Sequence, residues 1–271
     1  MIGNAPYPDA AQEEDGQPRG RLLSLMARAL EPALWFAGLL AIWEVAVRVL
    51  AVPMFVLPPP SVFLWRIVES APVLGRHGLI TTQLILQGFV AGAIPGIALG
   101  YVTARSTLCQ RLLYPLVVFI QGLPKIMLAP LMLVWFGFAE GPKIFLTALI
   151  TFFPVMVDSF AGFRGIDPRY YYISKSSGAG WWQTFWRVEL PSAAPQIFSG
   201  LRISLVVAVT VVIVVEWLNS KSGLGYLVLR AMDSKDTGMI FAILVVGSLI
   251  GVGLSSLLAL IERRVVPQRR A

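Results

Sequence analysis

The chain has 271 residues, 56% of them hydrophobic and only 14% charged, with a mean hydropathy of +0.73. Soluble domains carry about 25% charged residues, so composition argues against a soluble enzyme and for a chain that lives in a bilayer. The formal charge of +7 would suit a nucleic-acid binder in a polar chain. Here it is read as basic loops on one side of a membrane, with no nucleic-acid partner. The single Cys109 excludes an intramolecular disulfide. With one Cys and one His, His77, no metal cluster can be built.

Residues 1–28 are expected to form a disordered cytoplasmic tail. They are polar at first, with Glu13, Glu14 and Asp15, and lack the basic start and short apolar run of a signal peptide. Residues 29–271 are expected to form a single all-α transmembrane domain. Six apolar runs near 20 residues, the length that crosses the hydrocarbon core, predict six spans. They cover Pro32–Val52, Leu79–Ala104, Leu112–Phe136, Pro142–Phe163, Ala194–Trp217 and Met239–Ile261. An even number of spans puts both termini on one side. Arg19, Arg21, Arg28, Arg105, Arg111, Arg164, Arg169, Lys175, Arg187, Arg263, Arg264, Arg269 and Arg270 fall on that side. Arg66, Arg76, Lys143, Lys221, Arg230 and Lys235, about half as many, fall on the other. The positive-inside rule therefore assigns both termini to the cytoplasm.

Between spans one and two, Pro58-Pro59-Pro60 leads into a short helix with Val62, Phe63, Ile67 and Val68 roughly on one face. A second amphipathic piece lies between Leu218 and Gly238. Each reads as an interfacial helix, as a platform for an outer partner, or as both. His77, just before span two, reads as a surface residue.

Charges inside spans are costly in lipid and usually face an interior or a partner. Glu44 and Arg48, four apart, suit an intrahelical ion pair. The third span is interrupted at Gly122 and Pro124, and Pro124 cannot donate to a helical ladder. Irregular backbone at membrane depth is tolerated only inside protein or along a cavity. Gly122, Pro124, Lys125 and Met127 therefore mark the candidate translocation pathway. Lys125 either attracts an anion or pairs with Glu44. Asp158 lies in span four. Glu216, near the outer end of span five, reads by position as an interfacial carboxylate; with Ser222-Gly223-Leu224-Gly225 it also looks like the gate-region feature of a known membrane-protein family.

Arg169–Pro191, RYYYISKSSGAGWWQTFWRVELP, is a polar interruption between two spans. Gly178 leaves room for another protein to approach the backbone, and Pro191 and Pro195 are expected to open the next helix. The segment reads as a docking element. It resembles the loop signature of bacterial ABC importer permeases: Glu-Ala-Ala, three residues, Gly, nine residues, Ile, any residue, Leu-Pro. Gly178 takes the Gly position, Val188 the Ile, and Leu190-Pro191 close the motif at the right spacing. The Glu-Ala-Ala positions fall on Tyr172, Ile173 and Ser174, a departure, because the family's Glu helps engage the ATPase subunit. LPPPSVF (57–63), GLPKIMLAPLMLVWFG (122–137), FAGFRGIDP (160–168), SGLRISL (199–205) and SGLGYL (222–227) are similar to the nitrate, sulfonate, taurine and thiamine-precursor group.

The resemblance implies a type I importer permease fold of about six transmembrane helices with a cytoplasmic coupling helix in residues 164–191. It implies a coupling contact through Tyr172, Ile173, Ser174, Gly178, Ala179, Val188, Leu190 and Pro191. The implied partners are a second permease copy, two cytoplasmic ATPase subunits, an extracytoplasmic binding protein and lipid, all at the bacterial inner membrane. No Gly-x-x-x-x-Gly-Lys-Ser/Thr loop occurs in the chain. The permease is therefore expected to hold no cofactor and to be no enzyme, ATP and Mg²⁺ belonging to the ATPase. Two other classes bear on the same residues. An ion-coupled carrier would use Glu44 and Asp158, and a membrane enzyme would need clustered catalytic groups. The solute is left open.

Overall fold

The computed structural model describes residues 18–137 and 139–266, so the expected tail lies outside the described residues up to position 17. The chain divides into two units at Val52 and Pro53. In the first unit α1 (Pro18–Val49) covers the expected first span up to Val49, three residues short of its expected end. Its Glu44–Arg48 pair is formed, with Arg48 Nε donating to Glu44 Oε1 at 2.6 Å.

The second unit holds α2 (Pro60–Glu69), α3 (Ala71–Arg105), α4 (Thr107–Gln121), α5 (Leu128–Phe136), α6 (Glu140–Arg164), α7 (Pro168–Ser176), α8 (Trp181–Thr184), α9 (Leu190–Asn219), α10 (Leu224–Asp233) and α11 (Thr237–Val265). Among the described residues, α3, α6, Trp181–Leu218 and α11 are each long and apolar enough to cross a membrane. The broken pair α4 and Lys125–Phe136, bent by 70°, is long and apolar enough only when its two parts are taken together, as one broken span or a re-entrant loop. The break falls where Gly122 and Pro124 predict it.

Some boundaries differ from expectation. α3 begins at Ala71, eight residues before the expected start, because Pro72 is well placed in a first helical turn, and the helix runs on through Gly75 and Gly78. The helix leading into α9 begins at Trp181, not at Pro191. Pro191 lacks the N–H that would reach the Arg187 carbonyl, and the backbone there widens into a π-helical turn, Phe185–Glu189, instead of stopping. On α2, Phe63 is buried and stacks on Phe241 at 5.9 Å, and Ile67 packs into the cluster around Leu74 and Leu224. Val68 is exposed, being rotated away from Phe63.

The core of this unit is α3 against α6, with α9 across both. Gly88, Gly92, Gly96 and Gly100 recur every four residues along one face of α3. An added Cβ would lie 2.5 Å from Thr147 Cβ at Gly88 and 2.5 Å from Ala148 O at Gly92. It would lie 2.9 Å from Phe152 O at Gly96 and 2.8 Å from Met156 O at Gly100. Lipid tails are as apolar as leucine, so burial alone does not join helices in a bilayer. Small residues that let backbones touch gain dispersion contacts instead. α9 repeats the device at Gly200, against Pro154 O at 3.1 Å, and adds a hydrogen bond from Ser204 Oγ to Thr151 O at 2.8 Å.

Candidate functional site

At one end of the α3–α6–α9 core lies α7. Asp167 caps its start, accepting from Arg169 N at 2.8 Å, with Pro168 in the first turn. Its far end closes with Ala179 N donating to Ser174 O and Gly178 N donating to Lys175 O, both at 3.1 Å. This is the paired bond pattern of a Schellman turn, and Gly178 holds its left-handed position at φ +69°. Gly178 is thus required by backbone conformation; a Cβ there would meet nothing within 4 Å. Tyr172 and Ile173 are 73% and 61% exposed, whereas Ser174 is buried and its Oγ lies 3.0 Å from Thr184 Oγ1. Val188 lies in the π turn, and Leu190 and Pro191 in the first turn of α9. Leu190 packs against the cluster of Phe163, Ile166, Ala193 and Ile197.

One ion pair ties this end together. Glu189, 0% exposed, accepts from the Arg105 guanidinium at the end of α3. The Arg105 Cζ also lies 4.9 Å from the Tyr171 ring centre on α7 and 5.8 Å from that of Tyr101 on α3. Tyr101 meets Phe163 and Phe185 edge-on at 5.0 and 5.1 Å. Glu189 Oε2 has no hydrogen-bond partner among the described residues. The carboxylate therefore depends on Arg105.

The broken span forms a second feature. Gly122, Pro124, Lys125 and Met127 are brought together in one irregular stretch, with Met127 exposed. Lys125 Nζ donates to Ile120 O at 3.2 Å and Gln121 O at 2.9 Å, and lies 5.2 Å from the Phe153 ring centre. The ammonium thus caps the carbonyls that the break leaves orphaned at the end of α4. Lys125 is thus held by main-chain carbonyls of its own segment. Beside it opens a cleft of about 380 Å³, also lined by Phe153, Asp158, Ile203 and Val207.

Glu216 does not join this cleft. It lies near the other end of α9, 1% exposed, and so is not an interfacial carboxylate. Its Oε2 accepts from Gly225 N at 3.0 Å, and Thr81 Oγ1 lies 3.0 and 2.8 Å from its two oxygens. Thr81 Oγ1 in turn accepts from Leu224 N at 2.8 Å. A carboxylate and a hydroxyl thus satisfy the first amides of α10, where helices favour negative charge. Gly223, at φ +98°, donates its N–H to His77 Nδ1 at 3.0 Å. The His77 ring stacks on Tyr226 at 6.0 Å. His77 is therefore a positioned acceptor, not a plain surface residue. Lys143, expected as a loop charge, is buried and donates to Ser220 Oγ at 2.9 Å. Thr81, His77 and Lys143 were hidden in the sequence because their partners lie 77–146 residues away.

Known proteins share this chain's sequence and architecture. Residues 96–270 match the family described as binding-protein-dependent transport system inner membrane component. The formylaminopyrimidine transport permease protein ThiX of Halalkalibacterium halodurans is 33% identical over 244 residues, covering 90% of this chain and 97% of that one. The putative aliphatic sulfonates transport permease protein SsuC of Bacillus subtilis is 32% identical over 246 residues, 88% of this chain and 89% of its own length. The fold is that of a chain in the crystal structure of an amino acid ABC transporter with histidines. The TM-score is 0.59 at 18% identity, over 74% of this chain and 97% of the other. The family is one of permeases and not of enzymes, and its members are integral to the membrane. This chain therefore belongs to the binding-protein-dependent transport system inner membrane components, as a permease subunit of an ABC importer for a small solute.

Proposed function

We propose that two copies of this chain form the pathway of the importer in the bacterial inner membrane, with two ATPase subunits docked on α7 and an extracytoplasmic binding protein at the Glu216 end. The observation that carries this reading is α7 itself. It presents Tyr172 and Ile173 outward, is closed by the Gly178 turn, and is joined to α3 and α9 through Arg105. A displacement imposed on such a helix is felt directly by the two spans that flank the pathway. With Tyr172 at the position of the family's Glu, the contact rests on packing more than on charge. ATP and Mg²⁺ bind the ATPase partner and not this chain. The gathering of Arg105, Arg164, Arg169, Lys175, Arg187, Arg263 and Arg264 supports a cytoplasmic placement of α7 and both termini.

The pathway runs beside Gly122, Pro124, Lys125 and Met127, and the Glu216 cluster holds α10 at its outer end. ATP binding and hydrolysis favour the outward- and inward-open states in turn, because each bound partner has a different affinity for each state. The pyrimidine and sulfonate carriers among the relatives support a small polar or anionic solute.

Orientation is the first test. In sealed right-side-out vesicles a membrane-impermeant thiol reagent should miss the native Cys109. It should label Lys221→Cys in a Cys109→Ser background. The reverse pattern would place α7 outside and end the docking assignment.

A further inference from the structure

The cleft beside the α4–α5 break carries charges of both signs on an apolar body. Lys125 uses two of its three N–H donors on Ile120 O and Gln121 O. One N–H and the full positive charge are left to the cleft that it lines. Asp158 lines the same cleft, and its carboxylate is held by Gln196 and Ser199, neutral groups that do not compensate its charge. Among the described residues no ion pair within 4 Å joins Lys125 or Asp158 to any partner. The rest of the lining is largely apolar, with the face of Phe153 and the side chains of Ile203 and Val207. The volume of about 380 Å³ is at the small end of ligand sites.

Two unlike charges that share a cleft without touching define what fits between them. A bare anion satisfies Lys125 and is repelled by Asp158. A bare cation meets the opposite imbalance. A solute that carries both groups meets neither penalty, and in a site with low-dielectric walls that difference is large. We infer that this cleft is a substrate site for a small ampholyte. An anionic or acceptor group sits on Lys125, an ammonium or N–H donor on Asp158, and the apolar body on Phe153. The inference rests on the pathway reading above and narrows its solute to a class.

The test uses the assembled importer in detergent, with Cys109→Ser, and does not require the natural solute. Gln121→Cys reports the Lys125 end. Ile203→Cys reports the Asp158 end, since Ser199, one turn earlier on α9, touches Asp158. Each thiol is titrated with sulfonatoethyl (anionic), trimethylammonioethyl (cationic) and methyl (neutral) methanethiosulfonate. Rates are normalised to a free thiol. The anionic reagent should lead about tenfold at Gln121→Cys, and the cationic one about tenfold at Ile203→Cys, the low end of focusing by charged clefts. Lys125→Met should remove the first preference and Lys125→Arg retain it. Asp158→Asn should remove the second. An unchanged rate with the neutral reagent shows that each variant is folded. Equal or same-signed preferences at both thiols, or preferences that survive neutralisation, overturn the ampholyte site and leave the pathway standing. Thiols that react only with the neutral reagent face lipid, and then the pathway reading falls as well.

Discussion

Gly178 separates a conformational requirement from an interface requirement. Its φ of +69° costs an L-residue about 1–2 kcal/mol. At about 1.4 kcal/mol per factor of ten, Gly178→Ala should reduce the correctly closed loop, and with it the apparent affinity for the ATPase subunit, about 5- to 30-fold. Asn tolerates the left-handed region, so Gly178→Asn should lose much less. A Cβ at this position meets nothing within 4 Å in the chain itself. Side-chain size therefore adds no cost until a partner covers the turn. Gly178→Trp should equal Gly178→Ala in the stability of the isolated permease and fall well below it in ATPase binding. The assay is titration of the ATPase subunit onto tagged permease in detergent, with thermal unfolding of the permease alone as the control. Equal ATPase affinity for Ala and Trp would place Gly178 outside the interface. Undiminished affinity in Gly178→Ala would refute the backbone argument.

Two further variants test what holds the scaffold. Arg105→Met strands the buried Glu189 carboxylate, a loss of about 3–5 kcal/mol, and should lower the thermal midpoint of the purified permease. Adding Glu189→Gln should recover much of it, and a double variant no better than the single one would show that the pair is not the strut described. In the α3–α6 seam, Gly92→Ala should destabilise by about 1–3 kcal/mol through overpacking against Ala148 O and the Thr151 side chain. Gly75→Ala on the same helix, where an added Cβ meets nothing within 4 Å, should be neutral or better. Equal midpoints for the two would remove the close-packing account.

The parts of this molecule that were legible in the sequence are those whose cause is local. Apolar run length predicts the spans, and Pro124 predicts the break at the residue where it occurs. The spacing from Gly178 to Leu190-Pro191 locates the α7 loop. Partnerships at long range were not legible. Glu216 can be read as an unusual charge, but nothing near it in sequence points to Thr81, 135 residues away. Arg105 and Glu189 are 84 residues apart, and Arg105 reads only as one more positive residue beside a span. The glycine seam is a different case, since Gly88, Gly92, Gly96 and Gly100 carry a four-residue period. Hydropathy counting treats them as merely apolar, whereas the spacing itself marks a helix–helix contact. At Gly178 the fold adds a reason that sequence does not show, because a glycine can answer a positive φ, a close approach or both, and the φ of +69° establishes the first. Lys125 is the most instructive. Its two sequence readings, an anion or Glu44 as partner, concern other charges and not the main chain. Yet a helix broken at bilayer depth leaves its last carbonyls without donors, and a lysine four or five residues on is near enough to supply them. The break that Pro124 announces therefore creates partners for Lys125, and leaves its third N–H beside the cleft that Lys125 lines.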